Sequence, residues 1–254
     1  MNRQEGDDLP VSTFTGMEDG TFPSGTSKYE RPTAAINVPE WIAENCIECN
    51  QCAIVCPHAT IRPVTEEEEE EAAPEGFIVK EFRGPVKGLK FRIIIDQEDC
   101  YGCGICANVC PSPKKALVMK PLDTQISKQN LWDYAMKLPE RTNPIGKTTA
   151  RGTAFEPTYF EFSGACAGCG ETPYINMVTR LFGDRMVIAN ATGCSSIYGA
   201  SSPSMPYTKN LRGQGPAWAN SLFEDNAEYG LGMHLGEQKL RDRLVQRITN
   251  ALPY

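Results

Sequence analysis

Histidine is nearly absent: His58 and His234 are the only two in 254 residues, each without a nearby ligand partner, and both read as surface or packed residues. No apolar run approaches the roughly 18 residues that a membrane helix needs. The N-terminal residues are polar and acidic where a secretory leader would be apolar. Basic charge is not in surplus either. The chain has 25 Lys and Arg against 32 Asp and Glu, a formal net charge of −7, which argues against a nucleic-acid footprint. Trp41, Trp132 and Trp218 lack interleaved basic residues and read as core or interface aromatics. These absences leave a soluble chain, long enough for two domains.

Cysteine, by contrast, is abundant. Eight of the eleven fall into two copies of one spacing closed by proline: Cys46, Cys49, Cys52, Cys56-Pro57 and Cys100, Cys103, Cys106, Cys110-Pro111. That C-x2-C-x2-C-x3-C-P run is the spacing of bacterial ferredoxins carrying two 4Fe-4S clusters. A cubane needs four thiolates at its corners, and a short loop supplies three without strain. The fourth points away to the other cluster. Cys46, Cys49, Cys52 and Cys110 are therefore expected to hold one cluster, and Cys100, Cys103, Cys106 and Cys56 the second. Zinc uses paired ligands rather than triplets with a trailing Cys-Pro, and a disulfide framework needs an oxidising compartment. The chemistry points to reducing, oxygen-poor surroundings, expected to be cytoplasmic.

The chain divides by composition. Residues 1–38, rich in Gly, Ser, Thr and Pro, read as an extended segment that wraps or links something else. Residues 39–122 form the expected ferredoxin-like α+β domain. Each half has a cluster loop, a short helix beginning near the Cys-Pro, and a strand such as Phe91–Ile95 or Ala116–Met119. Glu66–Glu71 read as a solvated loop tip, because adjacent like charges resist burial, and Lys114-Lys115 as a solvated pair. Residues 123–157 are a helix, with Leu131, Tyr134, Ala135 and Leu138 on one face, and a linker. Residues 158–254 begin an α/β domain. Thr172-Pro173 cap a helix whose apolar face is Ile175, Val178, Leu181 and Phe182, and Gly183 ends it. Met186–Ala189 read as a buried strand. Leu240, Leu244, Ile248 and Leu252 form a last helical stripe whose partners never arrive, the mark of a truncated chain.

Cys166, Cys169 and Cys194 form a third group. Three thiolates could hold most of another cluster, but a cubane wants a fourth that this chain lacks. A CxxC redox pair beside a free cysteine, or a three-cysteine zinc site, fits the spacing as well. Glu171 is placed for a polar contact to a cofactor. The Gly102-x-Gly104-x-x-Ala107 match to a dinucleotide fingerprint fails, because two of its positions are cluster cysteines.

The stretches EFSGACAGCGETPY (residues 161–174), IANATGCSSIYG (residues 188–199) and GPAWANSLFEDNAEYG (residues 215–230) resemble pyruvate:ferredoxin (flavodoxin) oxidoreductases, as does the double ferredoxin motif upstream. The resemblance covers essentially the whole chain, as an internal part of such an enzyme. It implies that Cys166, Cys169 and Cys194 ligate a cluster next to thiamine diphosphate, whose fourth ligand lies beyond Tyr254. It also implies that Glu171 and Cys194 contact the thiamine cofactor, and that residues 158–254 start its binding domain. The family's Gly-Asp-Gly segment for Mg2+ has no counterpart here. In the complete enzyme, expected to be a homodimer, the resemblance implies oxidation of pyruvate with coenzyme A to acetyl-CoA and CO2, electrons leaving to ferredoxin or flavodoxin. No residue of this chain reads as a general acid or base, and the chain alone is not expected to be competent. A stand-alone two-cluster electron carrier, or an enzyme of the same class for another 2-oxoacid, are the rival readings.

Overall fold

The computed structural model describes residues 5–67, 73–139, 142–201 and 204–252. The cysteine-rich part is built from two copies of one unit, strand, cysteine loop, short helix, strand. The first copy is β1 (Asn37–Trp41), α1 (Gln51–Ile54) and β2 (Ile61–Glu67); a two-residue β3 (Lys80–Glu81) follows. The second copy is β4 (Leu89–Ile95), α2 (Ile105–Val109) and β5 (Leu117–Pro121). The copies interlock. β1 runs antiparallel to β5, with Asn37 opposite Pro121 and Trp41 opposite Leu117. β2 runs antiparallel to β4, Ile61 opposite Ile95, and β3 covers the other edge of β4.

Phe91 is the centre of this packing. It is fully buried on β4, with the rings of Trp41, Phe82 and Phe155 at 6.3–6.4 Å. Burying such a side chain contributes about 2–3 kcal/mol. Ile61, Ile93, Ile95 and Leu117 join the same cluster, and so do Cys46, Cys56 and Cys106, so the cysteine loops share the hydrophobic core.

Three expectations for this part are corrected. The short helices lie before the Cys-Pro pairs, not after them: Cys52 and Cys106 are inside α1 and α2, while Cys56 and Cys110 follow. A residue preceding proline is pushed out of the helical region, and Cys110, at ψ 116°, is. The acidic run is not all loop. Glu66 and Glu67 end β2, and Glu66 is 8 % exposed near the buried Arg92, whose charge offsets its own. The rest of the run, residues 68–71, lies outside the described residues. Lys115, lastly, is not simply solvated, because its ammonium donates to the carbonyls of Asn108 and Cys110 at 2.9 and 2.8 Å.

After β5 the chain forms α3 (Gln129–Ala135), which packs Leu131, Trp132 and Ala135 on Ile94, Phe77 and Phe162. Next comes α4 (Ala150–Thr153), N-capped by the Thr149 hydroxyl, which accepts from the Gly152 amide at 3.1 Å. Then follow α5 (Thr172–Phe182), β6 (Val187–Ala191), α6 (Cys194–Ser196), which continues into a π-helical turn at Ile197–Ser201, β7 (Ala217–Ser221) and α7 (Asn226–Ala251). β6 and β7 are parallel. The N-terminal segment lies along both parts. Gly25 and Ser27 donate backbone bonds to Tyr207 and Met205, and Arg31 pairs with Glu98 and Asp133.

The α5 helix meets its expected orientation only in part: Ile175 packs on the Phe160 cluster and Leu181 is half-buried, but Val178 and Phe182 are exposed and the fully buried residues are Thr172, Asn176, Thr179 and Arg180. Glu171, not Thr172, is its N-cap residue, and Thr172 is completely buried in the first turn. The β6 strand begins at Val187, which is exposed, and its other residues are half-buried, so it is not the buried strand expected at Met186–Ala189. No residue of α7 is buried. Among the described residues no helix is long and apolar enough to cross a membrane.

Candidate metal centres

The two cysteine loops have the same backbone. Glu48 and Asn50 in the first, and Gly102 and Gly104 in the second, all adopt left-handed conformations, φ 62°, 59°, 67° and 74°. The first of each pair turns its amide back toward the leading cysteine. Glu48 N–H points to Cys46 Sγ and Gly102 N–H to Cys100 Sγ, both at 3.4 Å. The Ala116 amide likewise reaches Cys110 Sγ at 3.3 Å. Amide donors aimed at sulfur favour thiolate over thiol.

Cys56, Cys100, Cys103 and Cys106 line one cavity, together with Pro57, His58, Thr60, Tyr101 and Met119. The space inside it that water could occupy is about 20 Å³. The cysteine from the first motif thus lines one cavity with three from the second. Burial, and then the other thiols, push Cys106 up; burial pushes Cys100 up to about 12, against the Gly102 amide. Burial raises Cys52 as well, and its charged neighbours are Cys106, Cys46 and Cys49. Cys46 is raised by burial and lowered by Trp41, the Glu48 amide and Lys80. Thiols crowded in this way resist ionisation unless a metal takes their electron pairs, since coordination deprotonates a thiol outright. Soft sulfur donors, amides aimed at them and a cavity beneath suit an iron-sulfur cluster. Among the described residues no group of three or more His, Cys, Asp or Glu is arranged to hold a single metal ion.

Beside the first loop, Glu48 is fully buried. Its carboxylate accepts the Arg83 amide at 2.7 Å and an Arg151 guanidinium N–H at 3.3 Å, with the Lys80 ammonium at 3.7 Å. Asn50 donates to the Arg151 carbonyl at 3.0 Å. The loop is thereby tied to α4 and the linker.

The Cys166–Cys169 turn of the third cysteine group packs onto the second loop. Cys166 and Cys169 sit on one turn, the Cys169 amide donating to the Cys166 carbonyl at 3.0 Å. A Cβ added at Gly168, between them, would lie 3.7 Å from Cys103 Cβ. Phe162 N–H donates to the His58 carbonyl at 3.0 Å, closing the same junction. Cys166 and Cys194 are exposed and Cys169 is half-buried. Cys194 opens α6, and the turn that follows carries Tyr198, which packs with Cys169, Phe160 and Tyr207. Burial, and then the Glu171 carboxylate, push Tyr198 up, and the same two causes push Tyr207 up to about 12. Glu171, Cys169 and Tyr198 therefore share one neighbourhood.

His58 was missed by sequence reasoning. It is not a bystander but a wall of the cysteine cavity, 2 % exposed and stacked on Tyr101. Burial holds its pKa down at about 4 against the nearby Cys166 backbone. Its position two residues after Cys56 was the available signal. His234, in contrast, is exposed on α7.

Comparison with known proteins agrees with this geometry. Residues 45–114 match the family model of a 4Fe-4S dicluster domain, and residues 1–34 match one described as a domain of unknown function. The chain is 59 % identical over 253 residues to a pyruvate-flavodoxin oxidoreductase of Enterobacter agglomerans, covering 99 % of this chain and 22 % of that protein. It is 55 % identical to a pyruvate:ferredoxin oxidoreductase of Moorella thermoacetica, with 99 % and 22 % covered. It is 46 % identical to a mitochondrial pyruvate dehydrogenase [NADP(+)] of Euglena gracilis, with 98 % and 14 % covered. The chain spans about a fifth of the length of the first two relatives. Along nearly its whole length it is thus related to one section of the pyruvate-flavodoxin and pyruvate:ferredoxin oxidoreductases, and within that section it carries a 4Fe-4S dicluster domain.

Proposed function

We propose that this chain supplies the electron-conducting section, and the start of the thiamine diphosphate domain, of an enzyme that oxidises pyruvate with coenzyme A to acetyl-CoA and CO2, and delivers electrons to ferredoxin or flavodoxin. The observation that supports this reading is the contact between the Cys166–Cys169 turn and the Cys103 loop, which brings two cysteines of the third group beside the loop that lines the cavity of Cys56, Cys100, Cys103 and Cys106. Electrons entering near Cys166 and Cys169 would then reach the second loop first and the Cys46, Cys49, Cys52 and Cys110 loop after it.

Bound thiamine diphosphate supplies the electron sink for decarboxylation. The residues of this chain have other tasks. Cys166, Cys169 and Cys194 would hold a cluster completed by a ligand from outside the chain, and Glu171, beside Tyr198 and Cys169, would hold the thiamine cofactor by a polar contact. The buried amides and thiols of the two loops set cluster potential through hydrogen bonds to sulfur and through exclusion of water. The described residues offer no ligand set for Mg2+, and no step is assigned to it.

Iron and acid-labile sulfide per chain after anaerobic reconstitution, with EPR of the reduced protein, test the reading. About eight irons with two spin-coupled 4Fe-4S signals support the dicluster section and leave the third group dependent on an outside ligand. About twelve would show that three cysteines and an exogenous ligand suffice. Bound zinc without iron would sink it. The exposure of Cys166 and Cys194 favours, as a second reading, a two-cluster carrier in which that group is idle; thiamine diphosphate binding by the chain would exclude it.

A further inference from the structure

The two Cys-Pro segments differ in one residue that faces the cysteines. In the second, Cys110-Pro111-Ser112, the serine hydroxyl is already used, donating to the Asn45 carbonyl at 2.6 Å. In the first, Cys56-Pro57-His58, the equivalent side chain is an imidazole lining the cavity of Cys56, Cys100, Cys103 and Cys106. It lies flat on Tyr101, with ring centres 4.1 Å apart and planes 11° from parallel, and the Phe162 amide fixes its backbone. Neither ring nitrogen makes a hydrogen bond within the protein.

An imidazole carries at least one N–H in every protonation state. A buried donor left unpaired costs about 1–3 kcal/mol, and native interiors rarely tolerate one. The Thr60 hydroxyl, on the same wall, is engaged with Cys56 Sγ at 3.2 Å. The Cys166 backbone approaches the ring without completing a bond. The acceptors that the cavity itself would present are sulfurs. Resting on the reading of these four cysteines as a cluster site, we infer that His58 donates a ring N–H to sulfur of the cluster held by Cys56, Cys100, Cys103 and Cys106, and is the positioning residue that eases the reduction of this cluster.

The physical basis is charge. Reduction adds an electron to the cluster, much of it onto sulfur, and a hydrogen-bond donor stabilises the reduced form more than the oxidised one. The Cys46, Cys49, Cys52 and Cys110 loop has no matching donor at the Ser112 position, since that hydroxyl is committed to Asn45; its own free donor is the Trp41 indole N–H beside Cys46. His58 would therefore ease the entry of electrons into the cluster adjoining the Cys166–Cys169 turn.

The test uses the full chain grown with histidine labelled in its ring nitrogens, reconstituted anaerobically and reduced. Electron-nuclear double resonance should show a hyperfine coupling from one histidine nitrogen; His234, exposed on α7, cannot supply it. In His58→Phe, which keeps the stack on Tyr101, the coupling should vanish and one of the two cluster potentials should move to a more negative value. His58→Gln, with a carboxamide N–H, should recover part of that shift. A loaded wild-type chain without histidine coupling, or a His58→Phe protein with both potentials unchanged, overturns the inference. Should His58→Phe fail to load, the wild-type coupling decides alone. A wild-type chain that takes up no iron overturns the cluster reading itself, a result distinct from absent coupling in a loaded chain.

Discussion

Glu48 and Gly102 occupy the same position in the two cysteine loops, each left-handed and each pointing its amide at the leading cysteine sulfur from 3.4 Å. One is glycine because it must be. A Cβ at Gly102 would stand 2.6 Å from the Asn37 carbonyl oxygen and 3.1 Å from Ala35 Cβ. The other carries a long side chain in a conformation that costs a non-glycine residue about 1–2 kcal/mol. Its carboxylate offsets that cost through Arg83, Arg151 and Lys80.

Gly102→Ala is accordingly expected to lose about 2–4 kcal/mol of stability, from backbone strain plus collision with β1. Gly104→Ala meets nothing within 4 Å and should lose only about 1 kcal/mol, the left-handed penalty alone. Denaturant midpoints of the two variants separate these costs; equal losses would remove the role assigned to the Asn37 contact.

Glu48→Gln keeps a side-chain acceptor for the Arg83 amide but leaves Lys80 and Arg151 without their carboxylate. Both cations are partly exposed, so solvent screens part of the loss. The expected destabilisation is about 2 kcal/mol. Arg151→Ala should give a similar loss, and the double variant less than the sum, as a double-mutant cycle would read.

Arg180 is buried on α5 and clamps the linker: one guanidinium nitrogen donates to the carbonyls of Ala154 and Glu156 at 2.6 and 3.0 Å, and Nε to Asn176 at 2.6 Å. Burial holds its pKa down at about 9. Arg180→Met should lose about 2–4 kcal/mol, mostly from carbonyls left without a donor. Limited proteolysis should then cut within residues 142–158 faster than in the unaltered chain. An unchanged cleavage rate there would show that the clamp does not hold the linker.

The α7 helix buries no residue; its first turns lie half-buried against β6, with Gly230 beside Ala189, while residues 234–251 are exposed and rest on the helix's own hydrogen bonds. Trypsin should cleave at Lys239, Arg241, Arg243 or Arg247 before it reaches sites between β1 and β5. Mass spectrometry of early fragments reads the order, and first cuts inside the dicluster domain would contradict the assigned stability gradient.

The cysteine motifs were legible because their spacing encodes a ligand geometry that few other arrangements share. The 4Fe-4S dicluster match at residues 45–114 agrees with that reading. The strand at Phe91–Ile95 was legible from its aromatic and β-branched side chains, interrupted only by Arg92, and α3 from its helical period. Local rules failed where long-range contacts decide. Glu66 reads as exposed in any window of glutamates, yet Arg92 across the sheet draws it in. The apolar stripe of α5 reads as a core face, yet of its residues Val178 and Phe182 stay exposed and the most deeply buried side is the polar one, because Arg180 and Asn176 find carbonyls to bind in the linker and at Phe160. His58 was passed over because no second histidine or carboxylate stands near it in sequence.

Sequence by itself determined the number of thiolates, their grouping into two triplets with trailing fourth ligands, and the likeness to a pyruvate-oxidising family. These are properties of spacing and identity, carried along the chain without reference to its path. Only the tertiary structure decided that the Cys166–Cys169 turn rests on Cys103, and that an imidazole without a hydrogen-bond partner faces the cavity lined by Cys56, Cys100, Cys103 and Cys106. Contacts between residues tens of positions apart depend on how β1 to β5 interlock, and that register is set by the burial of Phe91 and its neighbours rather than by any local motif.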